Sequence, residues 1–213
     1  MHILAIGDSN ILRKRVLAEF KKLSFKISLV TRNLDTHRSY AEFESVWTDL
    51  DKALSSDEYV LIYISTINSH HFSCALTCLK AKKHVVVEKP ICLSSEEVFK
   101  LLTEAKKKNL FLGQSSVWMF HRMYEDIKLF DEGILEIKAN FKIPELGDNN
   151  FRHDESQGGG VFWDMCVYFF ESLMLHPFWK DLLEGEVTID ESFSKFNIAL
   201  VNQKYSYRGN FEF

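Results

Sequence analysis

Apolar residues along the chain follow two rhythms. Short apolar runs at residues 3–6, 59–64 and 85–87, and one at 26–30 interrupted by Ser28, predict strands buried on both faces, the pattern of a parallel sheet. Between them, apolar positions three and four apart predict helices from about residue 11 to 23, through Cys74, Ala75, Cys78, Leu79 and Ala81, and from 94 to 108. Ser94 followed by Glu97 forms a capping box at the start of the last of these. Residues 40–54 are mixed, with a short strand near Val46, and residues 110–113 supply one more strand. This strand–helix alternation through residue 114 predicts an α/β fold with a doubly wound parallel sheet. Alternating segments at 135–143, 186–193, 196–201 and 204–213 predict a second, smaller sheet of roughly four strands.

The run Lys83-His84-Val85-Val86-Val87-Glu88-Lys89-Pro90 stands out. Three valines form the strand, Glu88 and Lys89 emerge at its carboxyl end, and Pro90 stops it. Ligands of open α/β sheets bind at that edge. A lysine held there beside a carboxylate is placed to transfer a proton or polarise a carbonyl. A surface salt bridge capping the strand explains these eight residues at least as well.

Composition narrows the classes. A chain of 213 residues, 46% hydrophobic, can bury a sizeable core as one large or two small domains. Its formal charge is 26 − 30 = −4, with both signs interspersed. No basic stripe accompanies an aromatic platform, so nucleic acid is not expected as a partner. Cys74 and Cys78 have helical spacing, but Cys92 and Cys166 complete no second ligand pair, so no metal is assigned and reduced buried thiols are expected. No run of eighteen apolar residues marks a membrane span, and the N-terminus reads as a strand rather than a signal peptide. A soluble, cytoplasmic protein is the expectation.

The opening strand, the turn at Gly7 and the following helix suggest a dinucleotide-binding unit, whose G-x-G-x-x-G turn lets backbone approach a pyrophosphate. Here the three glycine positions are Gly7, Ser9 and Leu12, with Asp8, Asn10 and Ile11 completing the turn. Ser9 offers a hydroxyl donor, whereas Leu12 suits close helix–strand contact poorly. An ordinary βα turn accounts for the stretch equally. After the second strand comes Thr31-Arg32-Asn33 rather than an acidic residue. A hydroxyl followed by a guanidinium suits a ribose 2′-phosphate, so NADP fits better than NAD, with a solvated loop arginine as the plain alternative.

In this order the motifs resemble the glucose–fructose oxidoreductase and inositol dehydrogenase family (Gfo/Idh/MocA). Residues 81–90 are similar to its "A-x-G-K-H-V-x-x-E-K-P" signature, and residues 65–71 to its "T-P-N-x-x-H" loop, with Asn68 and His71 matching and Ile67 in place of proline. Residues 112–121 resemble the crossing into the second domain, with Met119 where an arginine is usual. Residues 158–168, Gly-Gly-Gly-Val-Phe-Trp-Asp-Met-Cys-Val-Tyr, are similar to its "G-G-G-x-x-x-D-x-G-x-H" helix, with Tyr168 for the commoner histidine. Asn149, Asn150, Phe151, Arg152 and the strand at 136–144 resemble the branch with tyrosine at that place, which acts on keto-sugars. The likeness covers about residues 3–175.

The resemblance implies a Rossmann domain at residues 1–118, followed at 119–213 by a reduced α+β domain with an open antiparallel sheet for substrate and self-association. It implies that Gly7, Asp8, Ser9, Asn10, Ile11, Thr31, Arg32, Ser65, Thr66, Asn68, His71, Glu88 and Lys89 hold the cofactor. Catalysis would fall to Lys89, Tyr168 and Asp164, with Arg152 and Asp164 on the substrate. A free phenol titrates near ~10 and a cation beside it lowers that value, which suits a Lys89–Tyr168 proton-transfer pair. Asp164, four residues before Tyr168, shares its helix face. The activity implied is NADP(H)-dependent interconversion of a keto and a hydroxyl group on a sugar or nucleotide-linked sugar, by a homo-oligomer. Plainer readings stand beside it. Tyr168 lies in an aromatic run, and Gly158–Gly160 serves equally as a linker. Family members are longer, so either the second domain is reduced or the frame is truncated. A degenerate relative acting as a binding or scaffold protein is the alternative from another class.

Overall fold

The apolar runs of the first half become the strands of one parallel sheet. In this computed structural model the described residues are 1–122 except 33 and 36, then 136–142, 147, 150–174, 184–189, 195–201 and 206–212. They divide into two compact units, Met1–Ser115 and Ser116–Phe213.

The first unit runs β1 (His2–Ile6), α1 (Leu17–Lys22), β2 (Lys26–Val30), β3 (Val46–Trp47), α2 (Leu50–Leu54), β4 (Leu61–Ile64), α3 (His71–Lys80), β5 (His84–Val87), α4 (Ser95–Lys108) and β6 (Leu112–Gln114). The strands lie in the order β3-β2-β1-β4-β5-β6, all parallel, which is the doubly wound order of a Rossmann fold. Period-two alternation explains why the runs are continuous. Leu4, Ile6, Ile62, Ile64, Val85 and Val87 join the core with α3 and α4, while Ile3, Ala5, Ile27, Leu29, Tyr63 and Val86 join the one beneath α1.

Helix ends follow local chemistry. Ser94 Oγ accepts the Glu97 N–H at 3.2 Å, and the Glu97 carboxylate reaches back to the Leu93 N–H at 3.3 Å. At the other end Asn109 is left-handed, with φ 54°, and lysines fill the last turn of α4, where the helix dipole favours cations. The helix predicted from Ile11 opens instead with a wide π-type turn, Leu12–Val16. Leu12 occupies the third glycine position and is fully buried under the sheet, worth about 2 kcal/mol. Between β2 and β3 the described residues form no helix, and the Tyr40 hydroxyl accepts the Asp35 N–H at 2.9 Å.

The second unit contains β7 (Glu136–Lys142), α5 (Val161–Met174), β8 (Glu184–Ile189), β9 (Lys195–Val201) and β10 (Ser206–Glu212). Its sheet has the order β7-β10-β9-β8, and α5 lies against β9 and β10. The hairpin partners β8–β9–β10 are antiparallel, but β7 pairs with β10 in parallel. The expectation of a wholly antiparallel sheet is corrected to a mixed one. The chain from β7 to β10 contains a helix and two strands, ample length for the crossover that parallel pairing needs. Asn149 and the predicted strand ends at 143–144 and 190–193 lie outside the described residues.

Candidate active site

The carboxyl ends of β1 and β4 meet at Gly7. Its φ is +98°, its N–H donates to Val30 O at 2.9 Å, and an added Cβ would stand 2.8 Å from Ser65 O. Glycine is required there by both conformation and space. Ser9 Oγ accepts the Leu12 N–H at 3.1 Å and donates to Ser65 Oγ at 3.0 Å, and Ser65 Oγ donates to Gly7 O at 3.2 Å. The Ser9 hydroxyl, read from sequence as a phosphate donor, is instead committed to this relay. Asn10 and Ile11 are exposed at the turn.

Asp8 turns away from the mouth of the turn. Its carboxylate is 9% exposed and takes a bidentate pair from Arg13, a contact from Arg38 at 3.3 Å and the Tyr40 hydroxyl at 3.3 Å. Arg38 also donates to Asp8 O at 2.8 Å and pairs with Asp35 at 3.3 Å. The Arg13 guanidinium lies over the Tyr40 and Phe43 rings and donates to Ser39 O. The Asp8 side chain, expected from sequence to hold the cofactor, serves here as a structural tie between the turn and the segment after β2. Sequence reading missed Arg13, Arg38 and Tyr40.

Burial opposes ionisation of Asp8, but the two guanidiniums outweigh it and hold the carboxyl below its usual range. A depressed folded value adds stability above the unfolded value near ~3.9, lost as pH falls through the folded one. Asp8→Asn is expected to cost about 2 kcal/mol at pH 7. In urea unfolding, the gap between variant and wild type narrows as pH drops below about 4. A gap independent of pH would refute the ion-pair account.

Thr31 is buried at the end of β2, its N–H on Trp47 O at 2.9 Å. Arg32 follows, exposed, with a terminal nitrogen 3.3 Å from His70 Nδ1. Burial and then the Arg32 charge lower the His70 value. After β4, Ser65 and Asn68 are buried, and Thr66 Oγ1 donates to Ile67 O at 3.3 Å. His71 is 1% exposed, with Nδ1 2.7 Å from Pro90 O and Nε2 3.1 Å from Thr66 O. It was expected to touch the cofactor, yet both ring nitrogens face protein carbonyls, so it ties the loop after β4 to the segment after β5. Burial lowers its value against the opposing pull of those carbonyls.

Glu88 follows β5, its N–H on Ile64 O at 2.8 Å. One of its carboxylate oxygens accepts from the buried Tyr63 hydroxyl at 2.6 Å. Lys89 is next, partly buried, and joined to Pro90 by a cis peptide. Sequence reading missed Tyr63. Its signal was a tyrosine inside an apolar strand, since a buried phenol needs a partner.

In the second unit, Asp164 lies in the first turn of α5 and is buried, with Arg152 Nε 2.9 Å from its carboxylate. Arg152, expected on the substrate, spends its guanidinium here and over the Phe151 ring. The three glycines make this possible. Gly158 and Gly160 have φ of +75° and +95°, and Gly160 N–H donates to Arg152 O at 2.7 Å. They are a fitted crossing rather than a linker. Tyr168 stands four residues on, its ring edge-on to Trp118 at 5.8 Å, and Trp118 stacks on His121. Glu171, also buried and on the Asp164–Tyr168 face, was missed. Among the described residues, no group of three potential ligands could hold a metal. No helix among them is long and apolar enough to cross a membrane.

Comparison with known proteins agrees with this geometry. Residues 5–115 match the oxidoreductase family with an NAD-binding Rossmann fold, GFO_IDH_MocA. Over 112 residues the chain is 30% identical to the dTDP-3,4-didehydro-2,6-dideoxy-alpha-D-glucose 3-reductase of Saccharopolyspora spinosa, covering 50% of this chain and 34% of that protein. Over 155 residues it is 26% identical to the trans-1,2-dihydrobenzene-1,2-diol dehydrogenase of Xenopus laevis, covering 67% and 46%. The chain thus spans between a third and a half of these relatives. The 3-ketoreductase KijD10 of Actinomadura kijaniata, solved with NADP and TDP-benzene, superposes with a TM-score of 0.85 at 20% identity, over 100% of this chain and 70% of that one. With its glycine turn, its late strand ending in Glu88-Lys89-Pro90 and this family match across the first unit, the chain belongs to the Gfo/Idh/MocA oxidoreductase family.

Proposed function

We propose that this chain is an NADP(H)-dependent oxidoreductase that interconverts a keto and a hydroxyl group on a sugar or nucleotide-linked sugar. The observation that carries this reading is the placement of Glu88 and Lys89 at the carboxyl end of β5, in a sheet whose switch point is closed by Gly7. The residues present fit the cofactor. The only carboxylate in the glycine turn is turned into Arg13 and Arg38, and Arg32 stands exposed where a 2′-phosphate needs a guanidinium. NADPH, when bound, supplies the hydride.

The chain's own residues manage the proton. Tyr168 is assigned the proton given to the developing alkoxide oxygen, and Lys89 is assigned as its partner in that proton transfer. In the reverse direction the transfer runs backwards. Asp164, oriented by Arg152, accepts a hydrogen bond from a substrate hydroxyl. Among relatives, the dTDP-sugar 3-reductase supports the substrate class. KijD10 has been studied as a tyrosine-to-phenylalanine and a lysine-to-alanine variant, which supports the residue types. The second unit is proposed as the reduced α+β domain that meets the substrate and self-associates through its sheet. None of the four cysteines is in a disulfide, in keeping with a cytoplasmic site of action.

Titration with NADPH and NADH, followed by nicotinamide fluorescence, tests the reading. NADPH is expected to bind at least about tenfold tighter, one guanidinium–phosphate contact being worth that much. No binding of either at millimolar concentration removes the enzyme. Tighter NADH removes only the role given to Thr31 and Arg32.

A further inference from the structure

Strand alternation puts Glu88 on the same face of the sheet as Val86, two residues earlier, and Val86 is the parallel partner of Tyr63 on β4. Tyr63 packs in the core under α1 with 3% of its surface exposed, and its hydroxyl comes out of that core at Glu88 Oε1, 2.6 Å away. The length is that of a charge-assisted O–H···O⁻ bond. The phenol is surrounded by apolar side chains and carries no other purpose in the packing, since phenylalanine would fill the same volume. Burial first, and then the carboxylate beside it, drive its ionisation far above neutral pH, so it remains a donor throughout the working range.

We propose that Tyr63 is a positioning residue: it pins one oxygen of Glu88, so that the other oxygen presents a fixed acceptor to the amide or hydroxyl donors at the nicotinamide end of the cofactor. The inference rests on the cofactor reading above and adds a residue to it. Glu88 then works as a locked acceptor, and the neighbouring Lys89 is left as the group that exchanges protons. Tyr63 acts only through Glu88, so its effect vanishes in Glu88→Gln, where an amide whose oxygen accepts from Tyr63 turns a donor NH2 rather than an acceptor to the cofactor.

The test is a double-mutant cycle with Tyr63→Phe and Glu88→Gln in the full chain, read by the binding of two probes. NADPH carries the nicotinamide end, and 2′,5′-ADP carries only the adenosine end. Tyr63→Phe is expected to weaken NADPH by about tenfold, the loss of one charged hydrogen bond. It should leave 2′,5′-ADP within about twofold, and added to Glu88→Gln it should weaken NADPH by less than about twofold more. Equal weakening of both probes, independent effects of the two substitutions, or unchanged NADPH binding in Tyr63→Phe overturns the inference alone. Wild-type protein that binds 2′,5′-ADP as tightly as NADPH also overturns it alone, whereas binding of neither probe overturns the cofactor reading beneath it.

Discussion

Lys89→Ala is expected to lower turnover by at least about a thousandfold, the upper range for losing a positioned proton-transfer group. NADPH should bind within about threefold of wild type, because the cofactor contact expected of Lys89 is shared with the Gly7 turn, Arg32 and Glu88, whereas its proton-transfer role is not. The physical reason lies in the end of β5. Glu88 is tied to Ile64 by its backbone and to Tyr63 by its carboxylate. Pro90 O is tied to His71. Lys89 is thus the one residue between two anchored neighbours, and its ammonium starts from a backbone with little freedom to wander. Alanine keeps that backbone and removes the ammonium together with its aliphatic stem. Tyr168→Phe, which deletes the phenolic proton and keeps the ring against Trp118, should show the same pattern. Measured on a nucleotide-linked keto sugar, wild-type rates in both variants would assign the proton transfer to other residues.

The second large effect is one of stability. A Cβ on Gly159 would meet Phe151 O at 2.5 Å, Arg152 O at 2.7 Å and Asp154 O at 2.7 Å. All three are backbone atoms, so the clash cannot be relieved by turning a side chain. The 151–154 segment has to move off the start of α5, and Arg152 moves with it. Gly159→Ala is therefore expected to cost about 3 kcal/mol, at the upper end for overpacking a tight site. Asp164 would at the same time lose the partner that permits its burial. Thermal unfolding reads the first consequence and turnover the second, while Lys89→Ala should leave the unfolding midpoint unchanged. A Gly159→Ala protein as stable as wild type would show that the crossing has room to spare.

What the sequence disclosed and what it hid follow from range. The strands β1, β4 and β5 were legible because burial on both faces writes itself as an apolar run, and β2 was legible despite its buried Ser28. The capping box at Ser94 was legible because its partners are three residues apart. The Asp8 cage was not, since it joins residue 8 to residues 13, 38 and 40 through a loop with no periodicity. Nor was the bond between Tyr63 and Glu88, which depends on two strands being neighbours and in register. Alternation along β7 and β10 announces strands but carries no direction, so their parallel pairing was invisible. Asp164 and Arg152 were both named from sequence, but their ion pair was not legible because their distance is set only by the glycine crossing.

The Asp8 cage also bears on how a nucleotide is received. The turn at Gly7 and the segment after β2 contact different parts of a dinucleotide in a Rossmann fold, and in many chains each is ordered separately by its ligand. Here Arg38 holds the Asp8 carbonyl and carboxylate together, and Ser9 is locked to Ser65. Under the cofactor role proposed above, a nucleotide would meet a turn already tied to Arg38 and Ser65 by the chain's own contacts. Less ordering would then be left to binding, which would offset part of what the two absent glycines lose.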